Sequence, residues 1–221
     1  MATTTSTSFP LIIRGERNSS RDVIELVLGF GIIMLVLWVP QRAQLFLGPA
    51  ALLATLTVVL LRRQSVDALG LGKRGLIASL WILPAAIALT ILSALVARSA
   101  GTLHALHDPD VRHVGGYVLW TVYQQFLLQD YFMPRLTRVL SSDAAVAVAA
   151  VLFAVAHLPN LSLALATLVW GAVSCLLFRR YHNIYALGLA QGLLGLCFAV
   201  CLPDALHHHL RVGLGFLQYH Q

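Results

Sequence analysis

The sequence predicts an all-α fold, a polytopic integral membrane helical bundle of about seven transmembrane helices. Three observations carry that reading. Hydrophobic residues make up 58% of the 221 and charged residues only 11%, with a mean hydropathy of +0.80, whereas a soluble domain carries roughly 25% charged residues. The apolar residues gather in seven runs, most of them close to the roughly 20 residues that cross a bilayer. The cationic residues sit in short clusters between those runs, which is how a membrane chain sets its orientation. The net charge of +6 therefore gives no argument for nucleic acid as a partner.

Residues 1–21 are rich in Ser and Thr and open without a positive n-region, so they read as a polar cytoplasmic tail with a short interfacial piece at Phe9–Ile13, not as a signal peptide. Residues 22–203 form the transmembrane bundle, its runs being Val23–Val39, Leu45–Leu61, Leu76–Val96, Gly115–Met133, Ala144–Leu158, Leu161–Phe178 and Ile184–Leu202. Only Pro159 and Asn160 separate the fifth run from the sixth, which predicts a tight helical hairpin capped by Asn160. Pro40, Pro134, Pro159 and Pro203 stand at run ends, where a missing N–H does least harm, and Pro49 and Pro84 fall inside runs, where they predict kinks. Residues 204–221 are a C-terminal tail, expected as an interfacial amphipathic helix that uses Leu206, Leu210, Leu214 and Leu217.

With the N-terminus inside, eleven of the fifteen Lys and Arg fall on inside segments, and Arg42, Arg98, Arg112 and Arg211 fall outside. That bias supports an odd number of spans and a C-terminus outside. The segment Gln64–Gly75, around Val66-Asp67-Ala68-Leu69-Gly70-Leu71, is expected as a short interfacial helix. The loop Ala100–Gly116 carries His104, His107, Asp108, Asp110 and His113. It reads more readily as a solvated outer loop than as a metal cluster, because a site needs its ligands on a rigid frame. Consecutive His207, His208 and His209 on a helix would point in different directions and not share an ion. Cys175, Cys197 and Cys201 lack metal spacing and read as small packing residues. No metal and no other cofactor is expected.

The informative residues are the polar ones inside the membrane. The stretch Gln124-Gln125-Phe126-Leu127-Leu128-Gln129-Asp130 puts three amides and a carboxylate into an otherwise apolar and aromatic run, at a cost in hydrocarbon that implies use. Gln125 and Gln129 share a helix face, with Gln124 about 100° away. His157 ends the fifth run and Gln191 lies within the seventh. At 1.5 Å rise per residue Gln124 is about 14 Å, and Gln191 roughly 11 Å, into their spans from opposite faces. Both are near mid-membrane, so a polar cavity shared with His157 is expected. Interhelical amide glue without chemistry fits the same spacing. Asp130 lies toward the inner end near Arg135 and Arg138, where a salt bridge is the expected role.

The pattern from about Leu45 to Leu202 resembles the CPBP intramembrane proteases, the CAAX-protease and abortive-infection family. That family shows Glu-Glu-x-x-x-Arg-Gly in one span, Phe-x-x-x-His in the next, and His-x-x-x-Asn or His-x-x-x-Asp in a late span. Phe153-x-x-x-His157 matches the second motif, and Arg180-Tyr181-His182-Asn183-Ile184 and Leu69-Gly70-Leu71 look similar to their family counterparts. Gln124 and Gln125 stand where the family has paired glutamates, Gln129-Asp130 where it has Arg-Gly, Gln191 where it has the late His, and Gly195 where it has Asn. By resemblance, His157, Gln124 and Gln191 are the catalytic positions and Gln125, Gln129, Asp130 and Phe153 the substrate-binding or structural ones. The resemblance implies an intramembrane endopeptidase-like protein of the bacterial plasma (inner) membrane that acts on or binds a prenylated or membrane-embedded peptide. A carboxamide takes up no proton at physiological pH, so the alternative is an inactive relative that serves as a scaffold or binds a partner membrane protein.

Overall fold

In the computed structural model, residues 19–62, 65–107 and 110–219 are described. The tail piece Phe9–Ile13, Arg14, Arg17, Arg63 and Asp108, all used in the sequence reading, lie outside them. Among the described residues every regular element is a helix, as a bilayer demands, since a helix satisfies its backbone N–H and C=O groups within one segment.

Seven helical rods follow the seven apolar runs. They are α1 (Ser19–Trp38), α2 (Gln41–Leu61), α3 (Lys73–Ser79) leading into α4 (Ile82–Ala100), α5 (Val111–Phe126) leading through a π turn (Leu127–Phe132) into α6 (Met133–Val139), α7 (Ser142–Val155), α8 (Leu161–Tyr181) and α9 (Ile184–Cys201). A tail of short pieces ends the chain: α10 (Asp204–His207), a 3₁₀ turn (His208–Leu210) and α11 (Gly213–Leu217). Four stretches, Gln41–Leu61, Gly75–Ala100, Leu161–Tyr181 and Ile184–Cys201, are each long and apolar enough to cross a membrane. Of the other rods, α1 carries charged residues in its first turns, α5 runs into the polar π turn, and α7 has only 14 residues.

Helix α9 is the axis of the bundle, packed between α4 and α5, while α7 lies along α8 and α1 lies against α2 and α6. Its close approach to α5 depends on Gly188, where an added Cβ would stand 2.6 Å from the Cα of Val122. Thr121 Oγ1 donates to Gly188 O across the same contact at 2.8 Å. At the Arg-rich end, an ion-pair network ties three rods together. Asp22 accepts from Arg138 at 2.7 and 2.8 Å and from Arg62 at 3.1 Å. Glu25 pairs with Arg62 and Arg135, both at 2.8 Å. Gly29 leaves room beside it for Tyr131, whose hydroxyl donates to Glu25 O at 2.8 Å.

Two segments far apart in sequence meet at that end as well. Gly70 O accepts from Ile184 N at 3.1 Å and from Asn183 Nδ2 at 3.3 Å, and Asn183 Oδ1 caps α9 by accepting from Ala186 N at 2.9 Å. Gly70 takes the left-handed φ of +64°, a conformation that costs glycine little.

Several local expectations are corrected. Residues 65–72 form a turn, not an interfacial helix, because the Gly70 carbonyl, at a left-handed residue, turns to Ile184 N and Asn183 Nδ2. Pro134 does not end its rod, since the helix runs on to Val139. The carbonyl four residues back belongs to Asp130, inside the π turn, where the wider coil accommodates the ring and the missing N–H. Pro49 sits inside an unbroken α2, and Pro84 lies in the first turn of α4 after a break at Leu80–Trp81. The tail is not one amphipathic helix. His208, His209 and Leu210 have positive φ, so the chain folds back over the end of the bundle, where Gly213 N donates to Leu158 O at 2.9 Å. The expected hairpin is present: Asn160 Oδ1 accepts from Leu163 N at 3.2 Å and so caps α8.

Candidate functional site

The glutamines at the end of α5 and in the π turn meet the glutamine of α9 in one hydrogen-bonded chain. Gln129 Nε2 donates to Gln125 Oε1 at 3.1 Å, Gln125 Nε2 donates to Gln191 Oε1 at 2.6 Å, and Gln191 Nε2 donates to Gln124 Oε1. The direction of the chain is set from α8. Trp170 Nε1 stands 3.1 Å from Gln191 Oε1, and an indole N–H can only donate. Gln191 must therefore turn its oxygen to Trp170 and Gln125, and its NH₂ to Gln124. Gln124 in turn faces its oxygen inward, which leaves its own NH₂ without a partner among the described residues. Helix α8 also supplies Ser174 Oγ, an acceptor for Gln129 at 3.4 Å.

His157 lies in the turn after α7 and is 7% exposed. Its Nδ1 is 2.6 Å from Phe153 O. A carbonyl only accepts, so Nδ1 carries the proton and Nε2 of the neutral ring carries the lone pair. The Phe153 ring holds the imidazole edge-to-face at 4.9 Å. The Phe-x-x-x-His spacing thus has a local physical meaning: the i to i+4 relation supplies both the backbone acceptor and the aromatic wall.

Gln124, His157, Gln191 and Trp170 line one cavity of about 920 Å³. The remaining walls are apolar or aromatic, with Phe132, Leu152, Leu163 and Phe198 among them and Leu210 and Val212 contributed by the tail. Leu53, Leu89 and Val169 line it while remaining 62, 50 and 66% exposed, so the cavity opens through the side of the bundle. No Asp, Glu, Lys or Arg side chain lines it among the described residues. No hydrogen bond joins His157 to either cavity glutamine among those residues.

Of the expected site residues, Gln124, Gln191, His157 and Phe153 line the cavity, and Gln125 and Gln129 lie behind them as the buried continuation of the amide chain. Asp130 is the exception. It is 1% exposed, does not line the cavity, and neither carboxylate oxygen has a partner among the described residues. The expected salt bridge is absent because Arg135 and Arg138 turn to Glu25 and Asp22 of α1, while the π turn points Asp130 elsewhere. Trp170 and Ser174 are site residues that the sequence reading did not pick out. Their signal was there in their i, i+4 spacing, one turn apart on the face of α8 that the glutamines meet.

A family model described as type II CAAX prenyl endopeptidase, Rce1-like, matches residues 111–197. Those residues run from the start of α5 into α9 and contain the whole amide chain and His157. Over this segment the chain is similar to the CAAX prenyl endopeptidase family. The protein is accordingly a helical integral membrane protein whose α5-to-α9 segment is similar to that family, with α1, α2 and α4 packed around the segment. No curated protein and no solved structure gives a significant match.

Proposed function

We propose that the protein holds a prenylated or membrane-embedded peptide in its cavity without cutting it. The observation that carries this reading is the Trp170-oriented amide chain. It leaves the Gln124 NH₂ as a donor beside the His157 Nε2 acceptor on a mostly apolar wall that also carries the Tyr117 hydroxyl. An amide group needs that complement, its carbonyl toward Gln124 and its N–H toward His157, and an isoprenoid or apolar side chain suits the rest. The lateral opening between exposed Leu53, Leu89 and Val169 suits entry from the bilayer. By comparison with the family motif, the general base is missing at Gln124, and loss of a general base typically costs about 10² to 10⁴ in rate. The family resemblance suggests a bacterial plasma membrane as the setting, and the cationic bias a cytoplasmic N-terminus.

The test uses full-length protein in nanodiscs and two photocrosslinkable probes, a farnesylated CAAX-type peptide and a single-span apolar peptide. Saturable labelling of wild type, lost in Ala166→Trp, which fills the cavity, is expected, with the peptide recovered intact by mass spectrometry. Equal labelling of both proteins would overturn the reading.

A second reading is hydrolysis with His157 as the base, and the observation that favours it is that His157 lines the cavity with its Nδ1 held by Phe153 O. Peptide cleavage lost in His157→Ala would establish it over simple binding.

A further inference from the structure

At the end of the bundle opposite the arginine cluster, the loop before α5 meets the folded-back tail through histidines. His104 Nε2 lies 2.8 Å from Leu202 O, and His207 Nε2 lies 3.0 Å from the same oxygen and 3.2 Å from Asp204 Oδ1. One potential ligand atom each from His104, Asp204 and His207 lies within 4.8 Å of the other two. His209 Nδ1 stands 3.5 Å from Asp204 Oδ1. The His207 side chain is 1% exposed and its Nδ1 is buried without a partner among the described residues.

We propose that His104, Asp204 and His207 form a binding site for a divalent transition-metal ion of the zinc type, which clasps the C-terminal tail to the loop before α5. Two imidazoles and a carboxylate are a donor set that such ions take, with a fourth position left for water or His209. One tautomer of His104 suits it. Its Nδ1 lies 3.0 Å from Ala105 O; with the proton on Nδ1 and donated there, Nε2 is the ligand atom, as is usual for a metal-bound histidine whose other nitrogen donates to a carbonyl. Without an ion, His104 faces two carbonyls with one proton in its neutral form, and His207 competes for Leu202 O. Carbonyl acceptors hold the His104 ring above the ordinary imidazole range, and burial holds His207 below it.

The frame that sequence reading found lacking comes from the tertiary fold. Asp204 and His207 are three apart on one turn of α10, and His104 is anchored to the end of α9 through Leu202 O. Left-handed backbone at His208 and His209 turns His209 back toward Asp204, which a continuous helix would not allow. Leu210 and Val212 of the same tail line the central cavity, so an ion here would fix one of its walls. The site stands on this geometry alone and is independent of what the cavity binds.

The experiment takes full-length protein in detergent micelles, stripped with chelator and dialysed, and titrates it with Zn²⁺ and with Co²⁺ as a spectroscopic reporter. One ion per chain and a raised unfolding temperature are expected. His104→Gln and Asp204→Asn should each weaken binding by about tenfold or more and remove the temperature rise. His182→Asn, at the opposite end, should change neither. Both site variants are first matched to wild type for unfolding temperature in chelator. The proposal is overturned if wild type retains no zinc at micromolar concentration, or if a folded site variant binds as tightly as wild type.

Discussion

Gln191 stands between Gln124 and Gln125, donating to the first through Nε2 and accepting from the second at 2.6 Å through Oε1. This relationship joins α5 to α9, and Trp170 gives it one direction. The side-chain groups that reach the cavity are a consequence of that direction.

Gln191→Leu leaves Gln125 Nε2 and Trp170 Nε1 as buried donors without an acceptor. A cost of about 1 to 3 kcal/mol is expected, read as a lowered unfolding temperature in detergent. Trp170→Phe combined with Gln191→Leu should cost less than the two single changes added together. Strict additivity would mean that the bond is not coupled.

Gln124→Glu keeps the oxygen that Gln191 Nε2 donates to and adds a carboxylate beside the cavity that His157 lines. If the site is a protease site stripped of its base, this variant should hydrolyse prenylated peptides measurably faster than wild type, and Gln191→His should add to the gain. No cleavage by either variant, in a folded protein, counts against descent of this cavity from a peptide-cutting one.

Glu25→Gln leaves Arg135, which is 1% exposed, without its carboxylate partner. Breaking a buried pair costs about 3 to 5 kcal/mol, so a large drop in unfolding temperature is expected. Asp143→Asn removes the exposed pair with Arg179, whose partners are 93 and 39% exposed, and should change stability by less than about 1 kcal/mol. Equal effects from the two variants would refute the structural role assigned to the α1 network.

Gly188→Ala puts a Cβ 2.6 Å from the Val122 backbone. The obstacle is main chain, so α5 and α9 must separate, at about 1 to 3 kcal/mol. Because the same contact carries the amide chain, peptide labelling should weaken along with stability. Gly31→Ala, where an added Cβ meets nothing within 4 Å, is the control.

Much of the site was legible before folding. The Phe153-to-His157 spacing, the shared face of Gln125 and Gln129, and the Asn160 cap are relations within about one helical turn, and the 3.6-residue period determines them. The fate of Asp130 was not legible. Its nearest arginines in sequence pair instead with Asp22 and Glu25, more than a hundred residues away, and a π turn changes the angle at which it projects.

The amino-acid sequence by itself determined a helical membrane bundle, the positions of its rods, and the amides Gln124, Gln125, Gln129 and Gln191 within them, because hydropathy and residue chemistry are local properties. Only the tertiary structure decided that Trp170 orients the amide chain, that Asp130 stands apart, and that the tail folds back to bring His207 beside His104. Each of these depends on the rotation and depth of one helix against another. Those are set by contacts such as Gly188 on Val122, between residues that no periodicity in the chain connects.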